Sequence, residues 1–123
     1  MRHRRNKHNN RKVEVDGHVF DSVGESKRYL ELKLLQRAEI IRNLEIQPKF
    51  TLQEKFTYNR GKKHREITYT ADFTYLTDPV GDVWQVYVED YKGYKTEVYK
   101  IKKKLFIKKY PHIVFVETTK DMT

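Results

Sequence analysis

Val86-Tyr87-Val88-Glu89-Asp90-Tyr91-Lys92-Gly93 decides the fold of this 123-residue chain, an apolar run that stops in two acids, a lysine and a glycine. Its length and apolar character are those of a β-strand, and its charged end belongs in a cleft because burying it would leave charge in an apolar medium. Side chains alternate along a strand, so Asp90 and Lys92 project to one face about 7 Å apart while Glu89 and Tyr91 project to the other. A second acid, Asp72, emerges from the apolar run Ile67-Thr68-Tyr69-Thr70-Ala71-Asp72-Phe73-Thr74-Tyr75. The turn residues Thr77-Asp78-Pro79-Val80-Gly81-Asp82 between the two runs predict an antiparallel hairpin, which puts both acids on one sheet. Converging carboxylates hold a hard divalent cation, and a lysine beside them holds or activates a water. Asp72, Asp90 and Lys92 are therefore a candidate metal-dependent hydrolytic site, with Glu89 directed away from it and assigned to structure.

Downstream of Gly93 the period changes. Thr96 is a helix cap with Glu97 in the first turn, and Val98, Ile101 and Leu105 with Phe106 or Ile107 give one apolar face that ends near Tyr110-Pro111. Ile113 to Glu117 then reads as a buried strand after a crossover helix. Upstream, Asp16-Gly17 predicts a tight hairpin within Val13 to Phe20. Ser22 opens a helix to about Arg37, with Tyr29, Leu32 and Leu35, joined by Leu34, as its apolar stripe; Ser22 with Glu25 spells a capping box. Pro48 interrupts the extended stretch Ile40 to Leu52 and pushes Gln47 to an extended conformation. Thr57 to Arg65 is a polar loop turning at Asn59-Arg60-Gly61. Hairpin, helix, strands, two long strands, helix and strand suit a mixed α/β (α+β) fold, a central mixed sheet flanked by helices.

Composition bounds the rest. The length suits one domain over residues 13–123. A content of 37% hydrophobic and 13% aromatic residues marks a folded chain, and 26 Lys and Arg against 17 Asp and Glu leave a net charge of +9. Polyanions, nucleic acid first, are the partners such charge attracts. Residues 1–12, MRHRRNKHNNRK, form a basic arm; Arg4 and Arg5 in it are candidate phosphate contacts, and a solvated terminus is the other reading of the same charges. Lys100 and Lys103 are the DNA-contact candidates chosen from the run on the second helix, whose bland alternative is a solvated face. Zero cysteines exclude disulfides and zinc-cysteine sites. No apolar run approaches the roughly 18 residues of a membrane span, so a soluble, cytoplasmic protein without membrane partners is expected. His18, His64 and His112 have no metal-ligand spacing, and the absence of a glycine-rich phosphate loop argues against a nucleoside triphosphatase.

An acid on one strand, Asp-X-Lys on the next, then a helix and a strand together resemble the PD-(D/E)XK nuclease superfamily. The pieces Phe20-Asp21-Ser22-Val23-Gly24-Glu25, Leu44-Glu45-Ile46-Gln47-Pro48-Lys49-Phe50, Ala71-Asp72-Phe73 and Val88 to Gly93 resemble, more closely, a family of small phage and prophage proteins placed in that superfamily. The position before the first acid is Ala71, where the superfamily's name has proline. The resemblance implies a restriction-endonuclease-like core. It implies that Asp72, Asp90, Glu25 and the Tyr91 backbone carbonyl surround Mg2+ or Mn2+, that Lys92 positions or deprotonates the attacking water, and that the Gln47 amide aligns substrate or water; a polar residue at a sheet edge is Gln47's other reading. The implied activity is endonucleolytic hydrolysis of DNA, selective for branched or junction DNA through shape or through homodimer formation, in phage recombination, replication or packaging. No small-molecule cofactor is implied, and a phage-encoded protein would act in the host cytoplasm. The alternative is a non-catalytic, basic nucleic-acid-binding accessory protein with the same fold.

Overall fold

Val86 to Tyr91 does form a strand, and the rest of the chain is laid against it. The computed structural model describes residues 11–119, so Arg4, Arg5 and all but the end of the basic arm lie outside the described residues. The strand β9 (Val83–Tyr91) pairs antiparallel with β8 (Phe73–Val80) and parallel with β10 (Val114–Thr118). With β3 (Arg42–Ile46) on the far side of β8, the sheet runs in the order β10-β9-β8-β3. Helix α2 (Glu97–Lys109) is the crossover between the parallel strands β9 and β10, as their spacing requires.

Helix α1 (Val23–Arg37) starts at Ser22, whose hydroxyl accepts the Glu25 N–H at 3.1 Å. It follows the hairpin of β1 (Val13–Val15) and β2 (His18–Phe20), which turns through Asp16 and Gly17 at φ 53° and 80°. One core joins Phe20, Tyr29, Leu32 and Ile41 to Phe73 and Tyr75 of β8; a second joins Tyr69, Ala71, Val88, Tyr99 and Phe106. Phe73 lies opposite Glu89 and Tyr75 opposite Tyr87, whereas Phe115 lies opposite Val88, so strand alternation puts the helices on opposite faces of the sheet, α1 over the Glu89 face and α2 over the Asp90 face.

Several expectations are corrected. The run Ile67 to Tyr75 is two strands, β7 (Ile67–Thr70) and β8, with Asp72 in the break. Two backbone bonds pin that break, from Gln47 N–H to the Asp72 carbonyl and from Ala71 N–H to the Pro48 carbonyl. Gln47 is not extended but sits at φ 54°, which kinks the chain between β3 and β4 (Lys49–Gln53) while it keeps one direction, antiparallel first to β8 and then to β7. The β8–β9 turn is shorter than expected; β8 continues to Val80 across a register shift where Asp78 adopts φ 44° beside Pro79. Residues 57–65 are no loop: β5 (Phe56–Tyr58) and β6 (Lys62–His64) make a hairpin of their own. On α1, Leu34 is exposed at 62% while Tyr29 and Leu32 are buried. On α2, Val98, Ile101 and Leu105 face outward; of the expected face only Phe106, one of its two alternatives, is buried, together with Tyr99. The aromatic pair wins because it removes more area from water.

Among the described residues the architecture is mixed α and β, with two helices and several sheets. No helix among them is long and apolar enough to cross a membrane.

Candidate active site

The C-terminal end of β9 brings three acids together. Asp90 is fully buried, and its two carboxylate oxygens accept from the Asp72 N–H at 2.9 Å and from the Tyr69 hydroxyl in a short bond. Asp72 Oδ2 in turn accepts the Tyr91 N–H at 2.7 Å. The break after β7 makes this exchange feasible: a regular ladder would spend those N–H groups on carbonyls, and here they serve carboxylates. Glu25 comes from the first turn of α1 and is buried, with Asp72, Asp21 and Lys92 among the groups that act on its carboxyl. Its N–H completes one half of the expected capping box, bonded to the Ser22 hydroxyl.

Burial first, and the neighbouring Glu25 charge second, push the Asp72 carboxyl up to about 7. Burial and then the Asp72 charge do the same to Asp90, also to about 7. Glu25 is raised by burial and by Asp21. Like charges this close do not all ionise together, so the cluster holds protons near neutrality. Lys92 opposes the rise at all three acids. Its ammonium lies 3.9 Å from Asp90 Oδ1 and 4.7 Å from the centre of the Tyr99 ring, on the same face as Asp90 as alternation requires.

Such a cluster has the donor chemistry of a hard cation: carboxylate oxygens, excess negative charge and protons that a cation would displace. Among the described residues, however, no group of three or more His, Cys, Asp or Glu side chains is arranged as a ready cage, because Asp72 and Asp90 turn oxygens onto N–H groups and a hydroxyl. Binding would exchange some of those bonds for the ion.

The other candidates divide. Glu89, on the opposite face, is fully buried and receives Arg28 Nε at 2.6 Å, Arg28 Nη2 at 2.8 Å and the Tyr75 hydroxyl at 2.7 Å, which makes it the tie between α1 and β9. The Gln47 side chain is exposed and donates to the Val19 carbonyl at 3.2 Å; its backbone, not its amide, touches Asp72. Tyr91 supplies the N–H to Asp72, and its ring lies over Gly24, where an added Cβ would meet the Tyr91 hydroxyl at 2.2 Å. Lys100 is exposed and paired with Glu97 at 3.2 Å. Lys103 is bound to Glu117 at 2.8 Å, with Lys95 at 3.5 Å from the same oxygen.

Three residues near the acids escaped the sequence reading. Tyr69 bonds Asp90 directly, and Glu117, opposite Asp90 on β10, accepts the Tyr99 hydroxyl. Burial alone would raise the Glu117 carboxyl, but hydrogen bonds from Lys103 and Tyr99 and the lysine charges outweigh it and hold it below its ordinary value. Its acidic position on a strand next to β9 was the available signal.

In comparison with known proteins, the family described as Protein of unknown function (DUF1064) matches residues 5–122. No curated protein and no solved structure matches the chain.

Proposed function

We propose that this chain, which belongs to the DUF1064 family, is a metal-dependent endonuclease of the PD-(D/E)XK type, with a restriction-endonuclease-like core, that hydrolyses phosphodiester bonds in DNA. The observation that supports it is the convergence of Glu25, Asp72 and Asp90 with Lys92 at the end of β9 in a chain of net charge +9. Asp72, Asp90 and the Tyr91 carbonyl, with Glu25 beside them, would hold Mg2+ or Mn2+. When bound, the ion would offset phosphate charge and lower the pKa of a water. The chain's own residues do the rest. Tyr69 and the Asp72 N–H fix the Asp90 carboxylate, and the Tyr91 N–H fixes that of Asp72. Lys92, half-buried over Tyr99, orients the attacking water and offsets charge that grows on the phosphorus oxygens in the transition state.

Cleavage of linear, branched and flapped DNA with Mg2+ or Mn2+ tests this, wild type against Asp90→Ala. Wild type is expected to cut at least one substrate and the variant none; no cutting by wild type, or equal cutting by both, overturns the proposal.

One observation favours a second reading, a nucleic-acid-binding accessory protein without turnover: the oxygens of Asp72 and Asp90 are already occupied by protein donors. Binding of DNA that weakens steeply with salt and is indifferent to divalent ions would favour it.

A further inference from the structure

The hairpin of β5 and β6 is bonded as a two-stranded sheet by itself and continues the β4–β7 pair away from Asp72. Its sequence from Lys55 to Arg65 includes Lys55, Arg60, Lys62, Lys63 and Arg65 and no acid. Every residue in it is exposed except His64, which is half-buried. The register pairs Phe56 with His64 and Tyr58 with Lys62, so these four share one face while Thr57 and Lys63 share the other. On the first face the Phe56 and His64 rings stack at 4.7 Å and 11°, leaving Phe56 45% and Tyr58 65% exposed. Asn59, Arg60 and Gly61 all take positive φ, so the turn is tight and Arg60 stands at the tip.

An isolated two-stranded ribbon gains little from packing, and exposed rings on it cost solvation without a partner. Flat apolar rings beside exposed cations match a single strand of nucleic acid, which offers unstacked base faces and closely spaced phosphates. Duplex DNA would use the cations and leave the rings idle. We propose that the ribbon is a binding surface for single-stranded nucleic acid, with Phe56 and Tyr58 stacking on unpaired bases and Lys62, on the same face, and Arg60 at the tip contacting the backbone. Ten residues of extended chain separate Lys62 from Asp72, so the ribbon reaches at most about 35 Å from the acids. Under the proposed nuclease reading, on which only the biological setting rests, a substrate would present an unpaired segment within about that distance of the scissile bond.

Fluorescence anisotropy with a labelled single-stranded oligonucleotide and the matching duplex, using the full chain in EDTA at about 100 mM salt, tests binding without any cleavage. Failure of the nuclease reading would therefore leave the result standing. Phe56→Leu with Tyr58→Leu keeps apolar side chains on the ribbon and removes the rings; single-strand affinity is expected to fall roughly tenfold or more while duplex affinity changes less than about twofold. Lys62→Ala should reduce the single-strand salt slope by about 0.7, whereas Lys63→Ala, on the opposite face, should leave it nearly unchanged. Circular dichroism of each variant guards against misfolding, and a ring pair that cannot be replaced is re-tested as Tyr58→Leu alone. Wild-type affinity in the ring variants, equal losses for single strand and duplex, or no single-strand binding by wild type would each overturn the proposal.

Discussion

Glu89 and Asp90 are neighbours on one strand, both fully buried, and they face different sets of partners. The Glu89 charge is met by a two-pronged guanidinium and a tyrosine hydroxyl, and the same pairing holds the Arg28 guanidinium well above its ordinary value. The Asp90 charge meets Asp72, so its site favours a proton or a cation. Arg28→Met would strip Glu89 of its partner inside the protein and is expected to cost about 3–5 kcal/mol in urea unfolding, whereas Arg28→Met with Glu89→Leu should cost clearly less. A double variant as unstable as the single one would show that the pair's desolvation is not what matters. Asp90→Asn should act the other way, raising Tm near pH 8 by about 2–6 °C because a like-charge contact is gone, while the proposed cleavage is lost. Differential scanning fluorimetry beside the cleavage assay reads both; an unchanged or lowered Tm would mean that the acids do not repel in the folded protein.

The start of α1 is placed by a contact between a glycine and a ring. Gly24 has ordinary helical backbone, so alanine there would gain helix propensity, yet its Cβ would lie 2.2 Å from the Tyr91 hydroxyl. The sign of Gly24→Ala therefore depends on Tyr91. In the wild-type background it is expected to destabilise by about 1–3 kcal/mol and to displace the Glu25 end of the helix; in a Tyr91→Ala background it should stabilise by up to about 1 kcal/mol. A double-mutant cycle by chemical unfolding measures this, and additivity would dismiss the contact. On α2, Phe106→Ala should cost about 3–5 kcal/mol and Ile101→Gln no more than about 0.5 kcal/mol, although apolar spacing alone lets both share one face. Comparable losses would mean that the outer stripe is covered.

At the scale of the whole molecule, what could be read in advance was whatever depends on neighbours in sequence. The Asp16-Gly17 turn, the Ser22 and Thr96 caps and the strand, helix and strand from Val83 to Thr118 are local chemistry, and the pairing of Asp90 with Lys92 follows from alternation. What escaped depends on contacts across the chain. Arg28 meets Glu89 across 61 residues, and charged residues are ordinarily assigned to the surface, so the buried pair had no local signal. The ribbon's polar residues hid its period of two, and the apolar residues of α2 cover too much of its circumference for spacing to choose a face. The acid cluster itself sets a property of the entire fold. Asp72 and Asp90 titrate near 7 when folded against 3.8 for the ordinary carboxyl, and Glu25 is raised too. Between those limits the folded chain binds more protons than the unfolded one, so this stability is present at the acid end and is lost as pH rises through about 7. Glu117, held low, contributes in the opposite sense, but its contribution is lost only as pH falls below the ordinary carboxyl range, so it cannot offset the loss above it. The metal-free protein is expected to lose about 4–8 °C of Tm between about pH 5.5 and pH 8.5, and Asp72→Asn to flatten that slope. Under the proposed function, millimolar Mn2+ or Mg2+ should restore Tm at about pH 8.5 and do little at about pH 5.5, because the ion competes with the protons the acids retain there. A flat Tm profile would show that the three carboxyls are not coupled as described. A falling profile that no divalent ion restores would separate the electrostatics, which would stand, from the metal-dependent chemistry, which would not.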